Sequence, residues 1–129
     1  MNGLHLIADL HECQCPASLL LDAPKLQTYF VDACQRHGLT VVGQLFHPFI
    51  DAAGQASGVT GTVVLAESHL AIHTWPEIMG VTLDVYVCNF SGDNSARAHA
   101  LFAEVIARFK PTRLDKKEVA RGHLGSQSG

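Results

Sequence analysis

Basic residues are scarce in this sequence: nine lysines and arginines stand against twelve acidic residues, for a formal net charge of -3. That removes the cationic footprint that a phosphate backbone or an anionic lipid surface selects, so neither nucleic acid nor a membrane is an expected partner. Long apolar runs are missing too, and none approaches the roughly 20 residues of a helical membrane span. The first residues, Met1-Asn2-Gly3-Leu4-His5, carry neither the basic region nor the apolar stretch of a secretory signal, so a cytoplasmic location is expected. Cysteine is limited to positions 13, 15, 34 and 88, and Cys13 and Cys15 stand too close for an easy disulfide. The four are read as reduced thiols. No His-Glu-x-x-His helix occurs, and His69 and His73 stand four apart on what reads as a strand, so no metal site is expected.

What is present is apolar: 47% of 129 residues, enough for the core of one small domain and a size at which an oligomer is no surprise. A small-molecule enzyme or a protein–protein module are the classes left open.

Residues 3–10 alternate, with Leu4, Leu6, Ala8 and Leu10 on one face, which predicts a strand. Asp22 caps a helix with Pro24 in its first turn, Leu26, Phe30, Val31 and Cys34 recur at helical spacing, and Gly38 stops it. Residues 39–47 predict a second strand, and Pro48, Gly54, Gly58 and Gly61 mark 48–61 as a loop. Strands are expected over 62–66, 70–75 and 81–87, with Glu67-Ser68-His69 as a tight reversal between the first two. A second helix starts at Asn94 or Ser95, buries Ala98, Leu101, Phe102, Val105, Ile106 and Phe109, and ends at Pro111; residues 113–120 complete the pattern as a strand. The fold class is α+β: a two-layer sandwich, one antiparallel or mixed sheet with two helices packed on one face. Residues 1–121 form a single domain, and 122–129 read as a flexible tail.

Chemistry concentrates around one serine. Ser68 in a reversal is by itself a turn residue, but Glu67 precedes it, the imidazole of His73 follows five residues on, and the thiol of Cys88 arrives from the next strand. A hydroxyl, an acid–base group and a thiol converging across adjacent strands form a nucleophilic site. Taken singly, each has a plainer reading: His73 as a satisfied buried histidine, Phe49 as core, Glu77 as a solvated turn residue after Pro76.

The run Glu67-Ser68-His69-Leu70-Ala71-Ile72-His73-Thr74-Trp75-Pro76-Glu77, followed by Asp84-Val85-Tyr86-Val87-Cys88, resembles the short bacterial S-adenosylmethionine decarboxylases. Phe46-His47-Pro48-Phe49, Gly58-Val59-Thr60-Gly61, the first strand at Leu4–Leu10 and the last at Lys117–Gly122 are similar to the same family, so the likeness spans the chain. The resemblance implies a proenzyme that cuts itself between Glu67 and Ser68 into residues 1–67 and 68–129, leaving a pyruvoyl group derived from Ser68. That group would form a Schiff base with the substrate and accept the electrons freed by decarboxylation. It further implies His73 as the acid–base group of processing with Thr60 in support, Cys88 as the proton donor of catalysis, and Phe49 and Glu77 as substrate contacts. A homodimer of cleaved protomers, with the sites near the subunit contact, belongs to the same implication. The product would be decarboxylated S-adenosylmethionine, the aminopropyl donor for spermidine.

Three segments depart from the family pattern: the longer stretch 50–57, residues 78–83, and Asn89-Phe90 after Cys88, where glycine is usual. All border the expected substrate position and none touches the cleavage residues. Because the family includes members that act on ornithine or arginine to give putrescine or agmatine, a basic amino acid is the alternative substrate. A regulatory, non-catalytic homologue is the third reading, disfavoured by the presence of Ser68, His73 and Cys88.

Overall fold

Alternating apolar residues that must bury one face, joined by short connections, leave the strands to pair as antiparallel neighbours. The computed structural model, described over residues 2–90 and 92–125, forms six of them: β1 (Gly3–Cys13), β2 (Val41–Ile50), β3 (Ala56–Leu65), β4 (Ser68–Trp75), β5 (Gly80–Cys88) and β6 (Pro111–Arg121). Helices α1 (Ala23–Arg36) and α2 (Ser95–Phe109) interrupt the series, with short 3₁₀ turns at Ala17–Leu20 and Pro76–Ile78. One sheet results, in the order β2-β3-β4-β5-β1-β6, with every neighbouring pair antiparallel. This is the α+β sandwich read from the sequence, with the sheet purely antiparallel.

The helices end where their residues dictate. Asp22 Oδ1 accepts the Lys25 N–H at 3.0 Å at the start of α1. At its end, Leu39 N–H bonds Cys34 O and Gly38 N–H bonds Gln35 O, with Gly38 at φ 80, the paired closure of a glycine-terminated helix. α2 stops one residue before Pro111, at Lys110 in the left-handed region, and Pro111 opens edge strand β6, where its missing N–H costs little. No described helix is long and apolar enough to cross a membrane.

The expected loop over 48–61 is shorter than read. β2 runs on through Pro48 to Ile50 and β3 begins at Ala56, leaving 51–55 as the connection. Proline is tolerated because β2 is an edge strand, and Gly61 is needed because a Cβ there would overlap the Phe46 ring across the pair. The expected tail falls partly on residues 126–129, outside the described residues.

The core lies between the helices and one sheet face. Leu6, Leu10, Val63, Leu70, Ile72, Leu83 and Val85 come from the strands, and Leu26, Phe30, Leu101, Val105 and Phe109 from the helices. Phe30 sits between Phe46 and Phe109, near-parallel to both at ring distances of 6.0 and 6.3 Å. Among the described residues the opposite sheet face has no covering layer. Directly paired residues share a face, so this open side carries successive cross-strand rows: Cys88 with Gly3 and Arg121; Tyr86 with His5 and His69; Asp84 with Ile7 and Ala71; Thr82 with Asp9, His73 and Thr60.

Candidate active site

Leu65 pairs with Ser68, so Ala66 and Glu67 alone join β3 to β4. Glu67 has φ 67 and Ala66 does not share the positive sign, so the loop is neither of the primed hairpin turns whose twist suits the flanking strands. A glutamate in the left-handed region costs about 1–2 kcal/mol, and the peptide bond that follows it is Glu67–Ser68. Ala66 N–H donates to Thr40 O at 2.9 Å, which fixes the tip against the start of β2. The Ser68 hydroxyl oxygen accepts the Cys88 N–H at 3.3 Å, bringing the head of β4 to the end of β5. Cys88 is buried, and its carbonyl receives the Asn94 side-chain amide at 3.2 Å, while Asn89 Oδ1 accepts the Asn94 N–H at 2.8 Å. The departure at Asn89 therefore braces the turn from β5 into α2.

His73 lies elsewhere. It stands opposite Thr60 on β3 and Thr82 on β5, and its Nδ1 is 3.0 Å from the Thr60 hydroxyl. Five residues of strand separate it from Ser68, about 16 Å at the usual rise, and the six residues from Thr82 to Cys88 put its row about 20 Å from Cys88. Phe49, exposed, pairs with Gly58 near this end of the sheet and meets His47 edge-on at 4.8 Å between ring centres. Glu77 is exposed in the 3₁₀ turn just beyond β4. The residues read as one convergent group thus form two: Ser68 with Cys88, and His73 with Thr60, flanked by Phe49 and Glu77. The rise along an extended strand explains the difference, since five residues of β4 carry His73 about 16 Å away from Ser68.

Two features were not read from the sequence. Thr74, inside the motif, is the one buried polar side chain among the described residues; its hydroxyl donates to Leu20 O at 2.7 Å and accepts the Val59 N–H at 2.8 Å. It is a structural tie, visible only as a threonine on the core face of β4. On the open face, His5, His69 and Asp84 come together, both imidazoles within 3.1 Å of one carboxylate oxygen. The only sequence signal for His5 is its place on the face of β1 opposite Leu4 and Leu6.

The other thiols are set apart by their environment. No disulfide joins the cysteines, and burial pushes Cys13 up to about 11 and Cys34 up to about 12, so both stay protonated in the core.

Residues 4–122 match the sequence pattern of the family described as S-adenosylmethionine decarboxylase. The chain is 36% identical to an S-adenosylmethionine decarboxylase proenzyme of Methanococcus maripaludis strain C7, over 93% of this chain and 89% of that one. It is 37% identical to one of Picrophilus torridus, over 93% and 84%. The fold is similar to the crystal structure of the adenosylmethionine decarboxylase from Aquifex aeolicus, with a TM-score of 0.80 and 31% identity over 98% of this chain and 96% of that chain.

Proposed function

The chain belongs to the S-adenosylmethionine decarboxylase family, and from that premise we propose that it is a proenzyme that cuts itself at Glu67–Ser68 and then decarboxylates S-adenosylmethionine. One observation carries the self-cleavage: Ser68 follows a left-handed Glu67 in a two-residue hairpin, with its hydroxyl held at Cys88. The hydroxyl attacks the Glu67 carbonyl carbon; an ester C–O bond forms, the C–N bond breaks, and the Ser68 nitrogen takes up the proton. Loss of the Ser68 α-proton expels the Glu67 carboxylate and leaves a dehydroalanine, which tautomerises, adds water and releases ammonia. The residue-68 pyruvoyl so formed supplies an electron sink for decarboxylation.

The residues at hand fit that group. Residue 68 heads a strand hydrogen-bonded on both sides, and in this reading the neighbouring buried Cys88 donates a proton to the substrate α-carbon once carbon dioxide has left. Thr60 fixes the His73 ring for the proton transfers of processing. The exposed Phe49 ring offers a stacking surface to adenine, and Glu77 a polar contact.

The two groups stand toward opposite ends of the sheet, and they act on one substrate if a second copy supplies the missing half. In a two-fold homodimer joined through the open sheet faces, with its axis running across the strands, the Ser68 end of one sheet would lie against the His73 end of the other. Exposed Leu45, Phe49, Val64 and Trp75 on that face would be covered by such a contact.

The purified protein is expected to run as two fragments, residues 1–67 and 68–129, and Ser68→Ala as one. Intact wild type after long incubation rules out self-cleavage. Labelled carbon dioxide should be released from S-adenosylmethionine far faster than from ornithine or arginine. The reverse preference leaves self-cleavage standing and moves the substrate to a basic amino acid.

A further inference from the structure

Between the two half-sites runs a hydrogen-bonded chain that none of these steps uses. Asp84 Oδ2 lies 2.9 Å from His5 Nε2 and 3.1 Å from His69 Nε2. Arg121 Nη1 sits 3.1 Å from His5 Nδ1, and its guanidinium carbon is 4.3 Å from the centre of the Tyr86 ring. A guanidinium only donates, so His5 Nδ1 accepts and the ring proton stands on Nε2, directed at Asp84. That tautomer withholds the lone pair a metal ion needs at Nε2, although three metal-capable groups meet here. The carboxylate instead gathers two N–H donors, one of them from His69.

His69 is the residue next to Ser68. In the uncleaved chain Ser68 is held from both sides, by the hairpin and by β4. Cleavage makes residue 68 a chain end, and chain ends fray unless tied down. Past that point β4 pairs with β5 from His69 opposite Tyr86 onward, and the first side-chain tie is the one from His69 to Asp84. Resting on the self-cleavage proposed above, we infer that Asp84 is a positioning residue whose carboxylate latches His69, so that the terminus created at residue 68 stays docked beside Cys88. His5 and Arg121 hold the carboxylate in place, and the latch spans β4, β5, β1 and β6.

The test compares His69→Leu, which removes the donor, with His69→Gln, whose amide nitrogen can replace Nε2–H. Amide hydrogen exchange is read at the start of the 68–129 fragment. In cleaved protein His69→Leu is expected to speed exchange there about tenfold and lower kcat by about tenfold, with KM within about threefold of wild type. His69→Gln restores both, and Asp84→Asn behaves as His69→Leu does. In a Ser68→Ala background, where the hairpin is unbroken, His69→Leu leaves exchange at those amides within about threefold, which also reports that the variant folds. Wild-type exchange and kcat in cleaved His69→Leu overturn the latch while self-cleavage stands. Failure of wild type to cleave overturns both. Thermal stabilisation of wild type by added Zn²⁺ that Asp84→Asn abolishes also overturns it, by showing that the cluster holds a cation.

Discussion

A thiol that must deliver a proton needs a place beside the reacting group, and in the proposed reaction that thiol is Cys88. It closes β5, is buried, and its N–H holds the Ser68 hydroxyl, whereas Cys13 and Cys34 lie in the core between sheet and helices. Cys88→Ala is therefore expected to cleave into the two fragments yet lose about 100-fold or more in kcat, with little change in KM. Labelled carbon dioxide release over a substrate series checks this, and turnover at the wild-type rate would remove Cys88 from catalysis. At this scale the sequence was legible where chemistry is local. Ser68, His73 and Cys88 stand out by residue type and interval. The latch does not, because His5 and Asp84 are 79 positions apart and Arg121 is 116 from His5. Only the strand order brings them together.

The elements were legible where one rule governs each. Caps and apolar spacing placed α1 and α2 to within a residue or two, and Gly38 stopped α1 as expected. Residues 48–61 were misread because proline and glycine, ordinarily marks of a loop, serve here an edge strand and a close ring contact. The helices are also joined by a group no periodicity reveals. Glu104 on α2 accepts the Arg36 guanidinium at 2.8 and 2.9 Å, His37 at 2.8 Å and the Tyr29 hydroxyl at 2.8 Å. Those bonds, Arg36 foremost, hold its carboxyl down at about 2 against an ordinary 4.5. A carboxylate whose pKa is lowered by folding stabilises the native state above the unfolded value and loses that contribution as pH falls through the folded value. The clamp thus acts fully near neutrality and fades from about pH 4.5 down to about 2. Part of the side chain faces solvent, so screening limits its worth to about 1 kcal/mol. Glu104→Gln should lower the urea midpoint at pH 7 and bring wild type and variant together near pH 2, and a constant difference across that range would mean the carboxylate is not the cause.

For the molecule as a whole, the open face is the determining fact. A sheet covered by helices on one side leaves Leu45, Phe49, Val64 and Trp75 exposed, and the Ser68 and His73 groups stand about 16–20 Å apart along the strands. No side-chain motion spans that gap, whereas the proposed two-fold partner would. Sequence periodicity conveys which residues face away from the core, but not the second molecule proposed to bring the two groups together. A composite site makes a prediction that a single-chain site does not. Ser68→Ala keeps a sound His73, and His73→Ala keeps a sound Ser68, so a mixed dimer holds one complete site from two defective chains. Each variant alone is expected to remain largely uncleaved. Co-expressed, the His73→Ala chain should be cut while the Ser68→Ala chain stays whole, and decarboxylation should return only in the mixed species. Differently tagged chains, purified in tandem and resolved by mass, separate the outcomes. If mixed dimers form and the His73→Ala chain remains intact, each protomer must work with its own His73, and the face-to-face arrangement is wrong.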